Sequence, residues 1–412
     1  MTAAPTTTSP PALPRATVTG ARTAVFVVFA LAGLVFASWA SRIADTKSLL
    51  GLTLGELGLV LLAMSAGSVS GLPLAGRVSE RIGAARTVLV GGGVSLTGLL
   101  LVAVVVDTTG PRPLLAAGLY LLGFGVGLWD VAMNLEGAAV EHALGTSVMP
   151  HFHAAFSGGT VLSALIGAGM SKAEVPLLAH FAAAAAITAG LGLWALRSFL
   201  PRAVEEAEHA DAAPGPVERG RSAWLEPRTL LIGVVVFAAA ATEGTANDWL
   251  SVAFVDGHEL EEWQGVLGFA TFLTFMTVGR LLGTRLLDTH GRVPVLRVSF
   301  ALAVAGAALV IFGSDWMAFV GAAVWGVGAA LGFPVGMSAS ADDPQRAAAR
   351  MSVVATIGYV AFIAGPPLLG FLGDRVGVLH SLLVVGALAI LALSVVPSVR
   401  EPDARPRTAA SA

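Results

Sequence analysis

Cysteine is absent from all 412 residues, so the chain forms no disulfide, offers no thiolate to a metal, and carries no mark of its redox compartment. Charge is almost as scarce. Asp, Glu, Lys and Arg supply 12% of the sequence, where a soluble domain carries roughly a quarter. With a net charge of -3 and no basic stripe beyond short loops, the chain has no footprint for nucleic acid or another polyanionic partner. A Gly-x4-Gly-Lys-Ser/Thr loop is missing, which excludes ATP as the driver, and nothing calls for a cofactor. No nucleophile and base are suggestively paired, which argues against an enzyme. The first twenty residues, rich in Thr, Pro and Ala, lack the basic-then-apolar order and cleavage site of a signal peptide. They read as a disordered tail over 1–21, matched by a second over 399–412.

What fills the sequence is apolar surface: 55% of residues are hydrophobic and mean hydropathy is +0.80. Runs such as Val25 to Ala37, Thr87 to Val106, Phe181 to Leu196, Val298 to Phe312 and Leu379 to Val396 approach or reach the ~20 residues that span hydrocarbon as a helix. An unpaired backbone group is forbidden there, so these runs must be helical. Together with the glycine-interrupted runs between them they predict an all-α integral membrane protein of twelve spans, near 23–44, 55–76, 86–106, 113–136, 152–172, 175–198, 229–253, 264–284, 293–312, 315–338, 350–372 and 377–397. With both termini inside, five of the 24 Lys and Arg (Arg42, Lys47, Arg112, Lys172, Arg375) face out and the other 19 face the cytoplasm. This distribution obeys the positive-inside rule and predicts a multi-pass protein of the cytoplasmic membrane.

A polar signature occurs twice. Gly71, Arg77, Glu80 and Gly83 sit at relative positions 0, 6, 9 and 12, and Gly279, Arg285, Asp288 and Gly291 repeat that spacing 208 residues later. An offset of half the length points to a doubled chain, the usual architecture of membrane transporters. The polar interval at 200–228, with Glu205, Glu206, Glu208, Asp211, Glu218, Pro214 and Pro216, reads as a flexible cytoplasmic linker. It separates an N-terminal six-helix bundle at 22–199 from a C-terminal one at 229–398. A degenerate third copy lies at Gly365, Asp374 and Gly377, with Phe371 in the arginine position. Inverted three-span units within each half predict a copy there.

The doubled signature resembles the inter-helix motif of the major facilitator superfamily, and the match extends over the whole chain. The run Ser38, Trp39, Ala40, Ser41, Arg42, the segment Asp130 to Asn134, and Glu243, Gly244, Asn247, Asp248, Trp249 are similar to a branch of bacterial permeases akin to the fucose permeases. That branch carries an acid and, four residues later, asparagine in span four, as Asp130 and Asn134 do. It also carries an acid in span one, where this chain has Arg42, with Asp45 displaced by three. Span five has no proline beside Gly158 and Gly159, unlike the drug antiporters; Gly365, Pro366 and Pro367 fall in span eleven instead. The resemblance implies two pseudo-symmetric six-helix bundles, one central site and alternating access. It also implies a gating role for Gly71, Arg77, Glu80, Gly83, Gly279, Arg285, Asp288 and Gly291, through charge pairs that form and break. Arg81, Arg86, Arg292 and Arg297 read as topology determinants only.

Acids inside the bilayer are costly and therefore candidates for function. Asp130 and Asn134 share one helix face, as do Glu243 and Asn247, giving one acid–amide pair per half. Such pairs can bind hydroxyl groups, and a carboxylate away from water is suited to proton coupling. The second-half equivalent of Asp130 is Phe333, so the two halves differ chemically. Glu136 and Glu141 read as solvated at the cytoplasmic mouth, and Asp248 as a hydrated group near the outer end. His153 is a candidate cavity residue, while His151 diverges from it on a helix, which makes a metal site unlike this pattern. Trp39, Trp129 and Trp325 lie within spans, where a sugar-type ligand would stack; Trp249, Trp263 and Trp316 read as interfacial belt residues. Glycine clusters at 91–93, 123–127 and 326–332 suit close helix packing, and Pro334, Pro366 and Pro367 suit bends. The sequence thus predicts a monomeric secondary transporter with a small-molecule substrate, protons and the lipid bilayer as its partners. The expected activity is proton-coupled uptake of a neutral polyhydroxylated compound, since few basic residues lie deep in the spans. A proton-linked exporter of amphipathic compounds and a non-transporting membrane sensor are the alternatives.

Overall fold

The computed structural model describes residues 14–201, 222–343 and 345–401. Most of the expected linker, including Glu205, Glu206, Glu208, Asp211, Pro214, Pro216 and Glu218, lies outside the described residues, as do most of both expected tails. Among the described residues twelve helices are long and apolar enough to cross a bilayer. Spans one to six are Arg15–Leu50, Leu54–Ile82, Ala84–Asp107, Arg112–Leu144, Met149–Lys172 and Leu177–Leu196. Spans seven to twelve are Pro227–Gly257, Glu262–His290, Arg292–Phe312, Asp315–Ser340, Ala347–Val376 and Val378–Val399. Each expected span lies on one of these helices, and several run further than expected: span one to Leu50, span eight to His290. Hydropathy registers only the part of a helix in hydrocarbon, whereas helical hydrogen bonding continues into the polar zone until a cap or a glycine ends it.

Several spans are locally irregular, among them span two, with Pro73 inside its helix, and span twelve, which breaks at Leu382. Span one turns at Ser41 and Arg42, span seven ends in a π-turn at Ala253–Gly257, and span ten is interrupted between Ala329 and Gly332. Span eleven carries Pro366 and Pro367 within its helix, which withhold the N–H groups owed to the Phe362 and Ile363 carbonyls.

The described chain forms two compact units. One comprises 14–39, 63–163 and 175–201; the other comprises 40–62, 164–174 and 222–401. Within the first, glycines set the helix contacts. A Cβ at Gly98 of span three would come within 3.0 Å of the Gly118 carbonyl of span four; one at Gly125 would meet the Gly91 carbonyl, and one at Gly123 would meet the Met64 carbonyl of span two. The second unit repeats these contacts: Gly306 against Gly321, Gly328 against the Ser299 carbonyl, and Gly326 against the Phe272 carbonyl. Small residues at these points let the backbones close together where lipid, as apolar as leucine, gives side chains no reason to cluster. The duplication visible in the signature is therefore also a duplication of packing.

The signature's last glycine has a conformational cause. Gly83 (φ 83°, ψ 159°) and Gly291 (φ 77°, ψ 170°) join consecutive spans without a loop, and Gly377 of the degenerate copy (φ 83°, ψ 154°) does the same between spans eleven and twelve. That region of backbone space is essentially reserved for glycine, and another residue costs of the order of 1–3 kcal/mol there. Gly83→Ala, Gly291→Ala and Gly377→Ala are each expected to lower the unfolding temperature of the purified protein, by about that free energy. Gly386→Ala, where a Cβ would meet nothing within 4 Å, is expected to leave it unchanged or raise it.

A second device holds the start of span seven. Glu226, just before it, accepts hydrogen bonds from Arg350 Nε (2.7 Å) and Thr229 Oγ1 (3.0 Å) and pairs with Arg346. Burial pushes its carboxyl up, but the hydrogen bonds from Arg350 and Thr229 and the charges of Arg350 and Arg346 outweigh it and hold the group below its ordinary 4.5. A lowered folded-state value means that this contribution is complete above pH 4.5 and is lost as pH falls through the folded value. Acid titration of stability is expected to be shallower in that window for Glu226→Gln.

Candidate transport site

In the first unit, Asp130 is exposed on span four rather than packed into a core, and Asn134 one turn on donates to the Asp130 carbonyl (2.8 Å) and to its Oδ1 (3.4 Å). The expected pair is thus in contact, with the amide steering the acid. His153 is also exposed, its ring edge-on to Phe29 at 5.2 Å. Two acids of span four differ from each other. Glu141 Oε2 accepts the N–H groups of Val148 and Met149, both at 2.7 Å, and so caps the start of span five. Glu136 is fully buried and accepts the Leu200 N–H at 2.7 Å. The reading of Glu136 as a solvated group is corrected: it ties the chain end after span six to span four.

In the second unit the deep acid of span seven is neutralised. Arg280 Nη2 lies 2.8 and 2.9 Å from the two carboxylate oxygens of Glu243, and its Nε–H reaches the Ala330 carbonyl (3.4 Å). That carbonyl stands at the interruption of span ten, where a helical partner is lost. Glu243 therefore turns to span eight, and the Asn247 Oδ1 is buried without a hydrogen bond. Both charged partners are partly accessible, 31% for Arg280 and 19% for Glu243. Arg280 was legible in principle, because an arginine inside the expected span at 264–284 demands a partner.

The tryptophans divide differently from expectation. Trp39, Trp129 and Trp325 are 1%, 3% and 0% exposed, so their ring faces are covered by protein in this structure; Trp325 meets Phe272 edge-on at 6.2 Å. Trp249, expected in an interfacial belt, is 1% exposed inside the unit, which corrects that assignment. Trp316 is 69% exposed, as a belt residue would be, and Trp263 lies 4.2 Å beneath the Lys172 ammonium.

Arg42 and Asp45 also meet. They pair at 3.1 Å where span one turns, and Ser171 Oγ donates to Asp45 at 2.9 Å. Arg42, counted among the outward-facing cations, is buried at 2% exposure. Asp374 of the degenerate signature accepts the N–H groups of Leu54 (2.9 Å) and Gly55 (3.0 Å) at the start of span two. Thr53 and Glu56 form a reciprocal capping box at the same terminus. A carboxylate there satisfies orphan donors and the helix dipole together. In the two full copies of the signature, Arg77, Glu80, Arg285 and Asp288 are exposed at helix ends. Gly71 and Gly279 are packing points, against the Phe124 carbonyl and the Ala330 Cβ.

Removing one member of the Glu243–Arg280 pair leaves an uncompensated charge within a span, whereas removing both does not. Glu243→Gln and Arg280→Gln are each expected to destabilise the protein more than the double variant. The coupling in a thermal double-mutant cycle is expected on the order of 1 kcal/mol or more.

Comparison with known proteins agrees with this architecture. A family profile for the Major Facilitator Superfamily matches residues 261–412. The chain is 30% identical to the uncharacterized transporter y4wD of Sinorhizobium fredii over 90% of its own length and 96% of that protein's. It is 31% identical to an uncharacterized MFS-type transporter of Yersinia pestis, covering 91% of this chain and 94% of the relative. It is 26% identical to the membrane protein MosC of Rhizobium meliloti, over 90% and 88%. Among solved structures, a variant of the nucleoside transporter NupG superposes with a TM-score of 0.75 at 13% identity, over 92% of this chain and 99% of that one, a likeness of fold. From the twelve spans, the repeated glycine contacts and these relatives, the chain is a multi-pass membrane transporter and belongs to the major facilitator superfamily.

Proposed function

We propose that the protein takes up a small, neutral, polyhydroxylated solute together with protons across the cytoplasmic membrane, by alternating access and with both termini in the cytoplasm. The observation that carries the coupling is the pair of Glu243 with Arg280, partly accessible and set against the interrupted span ten. An ion pair of this kind resists separation while both members are charged. A proton on Glu243 removes one charge and frees the guanidinium, so proton arrival and a change in the packing of spans seven, eight and ten become one event. In the other unit, Asp130 with Asn134 supplies a second protonatable group with an amide beside it. Carboxylate and amide groups together donate to and accept from hydroxyls, which is the ground for a hydroxylated solute. The excess of Lys and Arg in the loops expected to face the cytoplasm supports the orientation.

Reconstituted protein is expected to accumulate such a solute in liposomes when an inward proton gradient is imposed. Glu243→Gln and Asp130→Asn are expected to lose gradient-driven accumulation while keeping solute counterflow. Accumulation that persists unchanged in both variants would remove the coupling. Efflux of amphipathic dyes driven by the opposite gradient, without uptake of any sugar or polyol, would replace uptake by export.

A further inference from the structure

We propose that a small cavity between spans seven and eleven, lined by Gly244, Thr245, Asp248 and Trp249 on one side and by Phe362 and Gly365 on the other, is a hydroxyl-binding subsite for the solute. The inference rests on the transport reading above and assigns to Asp248, rather than Glu243, the solute contact in this unit.

Asp248 differs from three other acids within the spans. Glu243 is held by Arg280, Asp45 by Arg42, and Glu136 by the Leu200 amide, whereas Asp248 makes no hydrogen bond or ion pair among the described residues. A carboxylate in such a place needs an external partner, because neither lipid nor apolar wall supplies one. The residue beside it has the complementary need. Trp249 is 1% exposed, lines the same cavity, and its Nε1–H has no acceptor, although buried indole N–H groups normally find one. Thr245 adds a hydroxyl on the next turn of the same wall. On the opposite wall Pro366 has no N–H to give to the Phe362 carbonyl, which therefore lacks its usual helical donor.

A group that serves both Asp248 and Trp249 must donate and accept. A hydroxyl does both. A metal cation would answer the carboxylate and leave the indole N–H unsatisfied; an anion would be repelled by Asp248. The Phe362 ring offers the apolar surface against which the C–H face of a sugar or polyol packs. Glycine makes the space: a Cβ at Gly365 would meet nothing within 4 Å, and at Gly244 it would press on the Phe362 ring at 3.0 Å. The lining of these two adjacent spans thus combines an acceptor and a donor around a space that admits a group the size of a hydroxyl.

The test uses the full chain in detergent with D-ribose, D-sorbitol and uridine as probes, and sodium chloride against potassium chloride as a separate arm. At least one hydroxylated probe is expected to raise the unfolding temperature by mass action. That shift is expected to vanish in Asp248→Asn and to shrink in Trp249→Phe, which keeps an aromatic ring but removes the N–H together with the five-membered ring of the indole. Should Asp248→Asn fail to fold, Trp249→Phe alone decides. Because the chain has no cysteine, Gly365→Cys places a single thiol in the cavity. Its maleimide labelling is expected to slow several-fold with the same probe. The proposal is overturned if no probe shifts the wild type, if both variants keep the full shift, if sodium alone produces it, or if the thiol reacts equally with and without probe or not at all. Proton-driven uptake in liposomes with an indifferent cavity would sink this subsite and leave the transport reading intact. Binding with these signatures but no proton-driven uptake would do the reverse.

Discussion

Inside hydrocarbon no water can take up a backbone N–H or C=O, so every residue in a span must close its helical hydrogen bonds or be compensated nearby. Most of this chain obeys by forming uninterrupted helix. The informative places are those where the ladder is broken, because several of them carry polar groups that the composition otherwise avoids. At the turn in span one the Arg42 carbonyl is taken by Thr46 Oγ1 (2.7 Å), while the Arg42 side chain pairs with Asp45. Span ten opens at Ala330, whose carbonyl Arg280 reaches while pairing with Glu243. The π-turn ending span seven carries Asp256, bound to Lys47 at 2.7 Å. Span eleven bears Pro366 and Pro367 beside the cavity of Asp248.

Several charges within the spans therefore lie at irregular backbone, whereas Asp130 and Glu136 stand on the regular helix of span four. A buried ion pair contributes little net stability once its desolvation is counted, so a pair such as Arg42 with Asp45 matters less as a fastener than because it leaves no charge in the span unpaired. The glycine contacts provide the complementary property. Seams such as Gly98 with Gly118 and Gly306 with Gly321 bring backbones together with few rotamers to rearrange, which suits bundles that hold their shape while irregular segments change.

Duplication explains which features recur and which do not. Glycines at the junctions and seams recur because the backbone leaves no other residue a place there. Polar side chains recur less evenly: Arg77 and Glu80 of the signature return as Arg285 and Asp288, but Asp130 has Phe333 as its counterpart, and Asp374 of the degenerate copy caps span two. Geometry is thus inherited by both halves, while chemistry has diverged between them.

Helix number, the repeat, the junction glycines and the Asp130–Asn134 pair were legible in the sequence, because each depends on local spacing or on the length of chain needed to cross lipid. The partners of the deep acids were not. Sequence spacing pairs Glu243 with Asn247, one turn away, but Arg280 on another span binds it; Glu136 reads as solvated but is buried against Leu200. Trp249 was assigned to the interface and lies inside. The reason is the solvent. In water an apolar stripe reveals which face of a helix turns inward, but a span is apolar on every face because lipid and protein core are alike to it. The sequence by itself determined how many helices are long and apolar enough to cross the membrane and where along the chain each one lies. Only the tertiary structure decided rotation about each helix axis, and with it which acid is neutralised and which is left facing a cavity.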